Sequence, residues 1–120
     1  MSYLRKARGS RGEAIAATFL SNRGFSVRAR NWSCPVGEID LIVERDGEVR
    51  FVEVKYRCTR EFGYPEASIT GKKLRHLERA ILAWLDRFDP DLERYQADAI
   101  AITEEPGKPL EIYWIEAIYR

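Results

Sequence analysis

The sequence is poor in the residues that build soft-metal and disulfide sites. It has two cysteines, Cys34 and Cys58, and one histidine, His76, in 120 residues. The cysteines form no CxxC pair and no Cys/His cluster has zinc spacing, which argues against a structural zinc site and a disulfide-stapled scaffold. No apolar run approaches the roughly 20 residues that span a bilayer. The opening stretch "MSYLRKARGSRG" is basic but is followed by no apolar signal core, so the expectation is a cytoplasmic protein without a membrane partner. Low-complexity tracts, internal repeats and linkers are also missing. The expectation is therefore one domain over residues 1–120, with 1–8 flexible.

Net charge is small too, at +1, but it is unevenly spread. Residues 1–30 carry seven Lys/Arg against one acid, a balance of +6, and residues 71–85 carry four against one, +3. Residues 31–70 carry five against eight, −3, and residues 86–120 four against nine, −5. Two basic segments of this kind suit a phosphate-binding face if folding brings them together, and two solvated helix surfaces otherwise.

What is present reads as alternating helices and strands. Ser10 with Glu13 three residues later has the capping-box pattern, and Ile15/Phe19 and Ala16/Leu20 follow at helical spacing until Asn22 and Gly24. Phe25, Val27 and Ala29 alternate with Ser26, Arg28 and Arg30, a short strand with one polar face. "NWSCPVG" (31–37) reads as a loop. A hairpin around Asp46-Gly47 comes next, and residues 57–71 read as a long loop. Thr70 caps a second helix whose stripe is Leu74, Leu77, Ile81, Trp84, Leu85 and Phe88, with Pro90 beyond its end. "YQADAIAIT" (95–103) fits a buried strand, and "KPLEIYWIEAIY" an edge strand after a Glu105-Pro106-Gly107 turn. A strand–helix–strand crossover favours parallel pairing, and the tight hairpin requires antiparallel pairing. The fold class is α/β, a mixed sheet of four to five strands flanked by helices.

The hairpin "GEIDLIVERDGEVRFVEVKYR" (37–57) holds three charges where strands prefer apolar residues. Glu53 and Lys55 share a face. A two-residue turn at Asp46-Gly47 places Arg45 opposite Glu48 and carries Asp40 opposite Glu53, two carboxylates about 5 Å apart at Cβ. Such a pair repels unless a positive charge lies between. Lys55 in an ion network with Asp40 and Glu53 is one solution. A divalent cation held by Asp40, Glu53 and the Val54 carbonyl is the other, a hard oxygen set suited to Mg²⁺ or Mn²⁺. A lysine beside such a site serves phosphodiester hydrolysis by orienting or deprotonating the attacking water, or by stabilising phosphate charge.

The same residues, Asp40 followed by Glu53-Val54-Lys55, resemble the bipartite motif of PD-(D/E)xK nucleases. More widely, "RGEAIAATFL", "RNWSCPVGEIDLIV", "FVEVKYR", "FGYPEASIT" and "DAIAI" resemble the YraN-type family of bacterial proteins over roughly residues 8–118. The resemblance implies an αβββαβ core like that of restriction endonucleases and archaeal Holliday-junction resolvases. It also implies a metal role for Glu13 on the first helix, which competes with the capping role. The glutamine such nucleases often carry after the lysine or on the following helix is missing, leaving Lys72 or Lys73 to fill in. The usual Lys-Thr-Arg or Lys-Ser-Arg is Lys55-Tyr56-Arg57 here, and Ile39 stands in place of the motif's proline.

The resulting assignment is a metal-dependent endonuclease acting on DNA rather than RNA, including branched or flapped DNA. Asp40, Glu53 and Lys55 are its catalytic residues, and Asp40, Glu53, Val54 and Glu13 hold Mg²⁺ or Mn²⁺. Arg8, Arg11, Arg28, Arg30, Lys72, Lys73 and Arg75 contact phosphates. Resolvase-like enzymes pair as homodimers. Two alternatives are a nucleic-acid-binding module of the same fold with little cleavage, and a protein-interaction domain whose strand charges are structural. Asp98 reads as structural, Glu38 as solvated on the face opposite Asp40, and His76 as a packing or surface residue. Trp32 and Tyr64 are loop aromatics, packed on the domain or free to stack on bases.

Overall fold

The computed structural model describes residues 3–59, 61, 63 and 70–119, with side chains for 9–59, 61, 63 and 70–118. Tyr64 and most of the expected 57–71 loop lie outside the described residues. So do Met1, Ser2 and the side chains of 3–8, including that of Arg8.

The chain runs α1 (Tyr3–Ser21), β1 (Ser26–Cys34), β2 (Gly37–Arg45), β3 (Glu48–Arg57), α2 (Gly71–Phe88), β4 (Tyr95–Thr103) and β5 (Glu111–Tyr119). The five strands form one sheet in sequence order. The β3–β4 pair is parallel and the other neighbours are antiparallel, as the α2 crossover and the hairpin require. This is the αβββαβ order expected from the sequence, with β5 added at the edge.

Each helix covers one face. On the α1 side, Ala16, Ala17, Leu20 and Phe25 pack on Leu41, Val43, Val52, Ile100 and Ile102. On the α2 side, Leu77, Ala80, Ile81, Trp84 and Leu85 pack on Ile39, Ile42, Val49, Phe51 and Ala97. The stripe expected on α2 is therefore the buried one from Leu77 to Leu85, with Leu74 only partly buried and Phe88 at its end half exposed. Thr70 caps α2 as expected, its hydroxyl oxygen accepting from the Lys73 amide at 3.3 Å. Asp46 and Gly47 have φ values of 52° and 79°, the backbone of a two-residue hairpin turn.

Three expectations need correction. The first helix begins at Tyr3, so Ser10 lies inside it and caps nothing. Residues 31–34 continue β1 and residue 37 opens β2, leaving only a short turn where a loop was expected. Burial outweighs turn propensity here, since Trp32 packs edge-on against Phe88 and joins the α2-side core with Cys34. Trp32 is thus a packing residue. Finally, the register slips between Val27 and Ala29, so Arg28 and Arg30 do not share a face. Arg28 lies over Trp84 on the α2 side, whereas Arg30 acts on Glu13 of α1.

Asp98 is fully buried and mid-strand in β4. It accepts from Arg50 Nη1 and Trp114 Nε1 at 3.0 Å, Gln96 Nε2 at 2.8 Å and the Ala117 amide at 2.9 Å. Arg50 also pairs with Glu48 at 2.9 Å and Glu116 at 2.5 Å. Buried charges persist only when satisfied in this way. The expected structural role of Asp98 holds, and Arg50 is the partner that the sequence did not reveal.

A candidate metal and phosphate centre

The site lies where β2 and β3 part. Their pairing follows the expected register from Arg45↔Glu48 to Leu41↔Val52. One step further, at Asp40 and Glu53, the ladder ends. The Asp40 carboxylate replaces it, accepting the Val54 amide through Oδ2 at 2.8 Å.

Two glycines let both helices close on this point. A Cβ on Gly12 of α1 would stand 2.6 Å from Tyr56 Cβ, so only glycine lets α1 lie on β3 here. A Cβ on Gly37 would stand 2.7 Å from the His76 carbonyl oxygen and 3.3 Å from Ala80 Cβ, so the start of β2 lies directly on α2. The first contact delivers Glu13, which is buried. The second delivers Lys73 and His76.

Two adjoining cavities result. One, about 190 Å³, is lined by Glu38, Asp40, Glu53, Lys73, His76 and Leu77. The other, about 490 Å³, is lined by Gly9, Glu13, Glu38, Asp40, Val54, Lys55 and Tyr56. Asp40 lines both, so each of the residues assigned from the motif, Glu13 included, lines one or both of the two cavities. Glu38 does as well. It is exposed, as expected, but its charge acts on Asp40, Glu53 and Glu13, so it is not turned to the opposite face. Residues two apart on a strand share a face, as Glu53 and Lys55 do, so strand periodicity itself places Glu38 beside Asp40 and the expectation of opposite faces misapplied it.

The electrostatics are those of crowded acids. Burial, then the charge of Glu53, pushes the Asp40 carboxyl up to about 8, against the opposing hydrogen bond from Val54. Burial likewise raises Glu53, although Lys73 pulls it back. Burial raises Glu13, with a hydrogen bond from Asn31 opposing. Lys55 is lowered by burial and then by Lys73. Of the two lysines considered as substitutes for the missing glutamine, Lys73 reaches the cavity, while Lys72 is exposed.

The donor set fits a hard divalent cation by chemistry, offering carboxylate oxygens with no sulfur. As the side chains stand, no three Asp, Glu, His or Cys groups among the described residues converge closely enough to hold an ion. Binding therefore requires the carboxylates to turn inward.

The basic residues are less unified. Lys73 and Arg30 act on the acids directly. Arg28 pairs with Glu44 at 3.7 Å, away from the cavities. Lys72 and Arg75 are exposed on the first turns of α2. Arg11 is committed to Glu104, with Nε to Oε1 at 2.6 Å and Nη2 to Oε2 at 2.5 Å. Tyr56 joins the same carboxylate, donating its hydroxyl to Oε1 at 2.6 Å.

Comparison with known proteins gives the family of the chain. Residues 12–102 match the uncharacterised protein family UPF0102. The chain belongs to this family. It is 41% identical over 115 residues to the UPF0102 protein of Neisseria meningitidis serogroup C strain FAM18, covering 96% of each chain. It is 35% identical to that of Nocardia farcinica, covering 96% of this chain and 91% of the relative. With the Pelobacter propionicus protein it shares 41% identity over 101 residues, 82% of this chain and 72% of the other. The family match begins at Gly12 and takes in Glu13, Asp40, Glu53, Lys55 and Lys73. No helix among the described residues is long and apolar enough to cross a membrane.

Proposed function

We infer that this UPF0102 protein is a metal-dependent endonuclease that hydrolyses phosphodiester bonds in DNA, with branched or flapped DNA among the candidate substrates. One observation carries the reading. Asp40 and Glu53 lie at the end of an interrupted ladder, with Glu13 and two lysines on the same cavities, and their charges are poorly tolerated without a cation. A salt bridge needs one lysine and one acid, and this site gathers four acids.

Asp40, Glu53, Glu13 and the Val54 carbonyl would hold Mg²⁺ or Mn²⁺. When bound, the cation supplies Lewis-acid charge at the phosphoryl group. Lys55, with its affinity for a proton lowered, orients the attacking water or takes its proton. Lys73, between Glu53 and Lys55, bears on the phosphate oxygens and stabilises the charge that grows there. Arg30, Lys72 and Arg75 flank the approach to this centre. A cytoplasmic setting and a homodimer, which a two-fold symmetric junction demands, belong to the same proposal.

The test is incubation with Mg²⁺ or Mn²⁺ and a panel of duplex, single-strand, flap and four-way DNA. Cleavage that disappears in Asp40→Ala and Lys55→Ala is expected. No cleavage, or equal cleavage by both variants, rules the enzyme out for those substrates.

A second reading is a nucleic-acid-binding module of the same fold without turnover of its own. It is favoured by Tyr56, which stands where relatives are expected to carry a small hydroxyl and is bonded to Glu104. Binding that falls steeply with salt, without metal-dependent cleavage, selects this reading.

A further inference from the structure

The contacts on the far flank of α1 have no part in the chemistry above, yet they are more specific than a surface ion pair. Glu104 directly follows β4, and its amide donates to the Arg57 carbonyl at 2.9 Å, which ties it to the end of β3. Its two carboxylate oxygens are shared by both Arg11 donors and the Tyr56 hydroxyl. The Arg11 side chain is 59% exposed, and exposed ion pairs add little to stability. Bidentate geometry, in contrast, restricts orientation strongly.

Orientation is what the site needs from α1. Helical residues turn about 100° per position, so Arg11, Gly12 and Glu13 project to successive sides. Arg11 reaches Glu104, Gly12 rests on Tyr56, and Glu13 meets Asn31 at the acid cavity. The apolar contacts of α1 (Ala16, Ala17 and Leu20 in the core, with Ile15 and Phe19 partly buried beside them) all lie C-terminal to Glu13. On the N-terminal side of Glu13 the described contacts are Gly12 on the Tyr56 ring and Arg11 on Glu104.

We propose that Arg11, Tyr56 and Glu104 form a positioning clamp that sets the rotation of α1 and so holds the Glu13 carboxylate at the acid cavity. The clamp rests on the metal reading of that cavity. None of its members touches the ion, and each acts through Glu13. Tyr56, a departure at the centre of the motif, then has a use: its ring seats Gly12 and its hydroxyl locks Glu104.

The test is Mn²⁺ titration calorimetry on the wild type, Glu104→Gln, Tyr56→Phe and Val49→Ala. The last is a core change at the opposite end of β3 that lowers stability without approaching the clamp. Glu104→Gln is expected to weaken Mn²⁺ binding roughly 10-fold, as loss of a ligand's supporting contacts does. Tyr56→Phe, which keeps the ring on Gly12, shows a smaller loss and serves if Glu104→Gln fails to fold. Val49→Ala keeps wild-type affinity while melting lower. Unchanged affinity in Glu104→Gln or in the folded Tyr56→Phe, or equal losses in all variants, overturns the clamp. If the wild type binds no Mn²⁺, the metal reading fails, and amide exchange over residues 12–16 decides the clamp alone. Faster exchange in Glu104→Gln than in Val49→Ala supports it, and equal exchange ends it.

Discussion

The Asp40 carboxylate takes the Val54 amide hydrogen at 2.8 Å at the point where β2 and β3 stop pairing. A side chain thus occupies a place that a backbone carbonyl holds elsewhere along the hairpin. It anchors an acid between other acids, and most of the expected behaviour of the protein follows from that.

The first consequence is a pH dependence. Asp40 titrates near 8 in the folded chain against an ordinary 3.8, so the native state keeps a proton that the unfolded chain releases. Its contribution to stability therefore falls as pH rises from about 4 to about 8. Asp40→Asn removes the charge and should raise the metal-free melting temperature by a few degrees at pH 8, about 1 kcal/mol or more. The gain should vanish near pH 4. Thermal unfolding across that range measures it, and a lower melting point for the variant at pH 8 contradicts it.

A cation should reverse this trend. Mn²⁺ at about 100 times its dissociation constant is expected to add about 2.7 kcal/mol at pH 8 and clearly less at pH 5, where protons compete for the carboxylates. Melting curves with and without Mn²⁺ at both values provide the check. Equal shifts at the two values would mean that the ion binds elsewhere.

Lys73 and Lys72 should separate sharply in a cleavage assay. Lys73→Met is expected to lower turnover about 100-fold. It should also move the limb of the pH–rate profile set by Lys55 to higher pH, because Lys73 is one of the groups holding that amine down. Lys72→Met should leave turnover intact and only soften the salt dependence of binding.

Gly37→Ala should cost about 1–3 kcal/mol, the usual range for overpacking. The added methyl meets the His76 carbonyl oxygen at 2.7 Å, a backbone atom that cannot swing aside. Metal affinity should drop with it, because Glu38 and Asp40 are carried on the same stretch. Denaturant melts and calorimetry on one preparation measure both.

Asp98→Ala should destabilise by about 3–5 kcal/mol, since it removes one of the three carboxylates around Arg50 and leaves the Trp114, Gln96 and Ala117 donors without their acceptor. If the variant folds, its Mn²⁺ affinity should match the wild type. A selective loss of metal binding would contradict the structural assignment of Asp98.

Much of this was legible beforehand because it rests on local rules. The Asp46-Gly47 turn fixed the hairpin register residue by residue, and the Thr70 cap and apolar stripe located α2. Most of the failures are non-local. Ser10 and Glu13 have the spacing of a capping box, but only the start of the helix at Tyr3 shows that the pattern is coincidental. Trp32 and Cys34 sit among turn-forming neighbours, and it took the α2 face to pull them into a strand. Glu38 was assigned away from Asp40 against the strand period of two, which puts residues 38 and 40 on one face, where both line the cavities. Arg50 looked like an ordinary strand arginine, and its partners at Asp98 and Glu116 lie 48 and 66 residues further along.

The glycine at the head of β2 has one last implication. A strand that lies backbone to backbone on α2 cannot hinge away without opening a void along the seam. The jaw between them is accordingly of fixed gape. Whatever enters that cleft must therefore fit a width set by the contact of Gly37 with His76 and Ala80, and adjustment falls to the side chains lining it, not to movement of the helix.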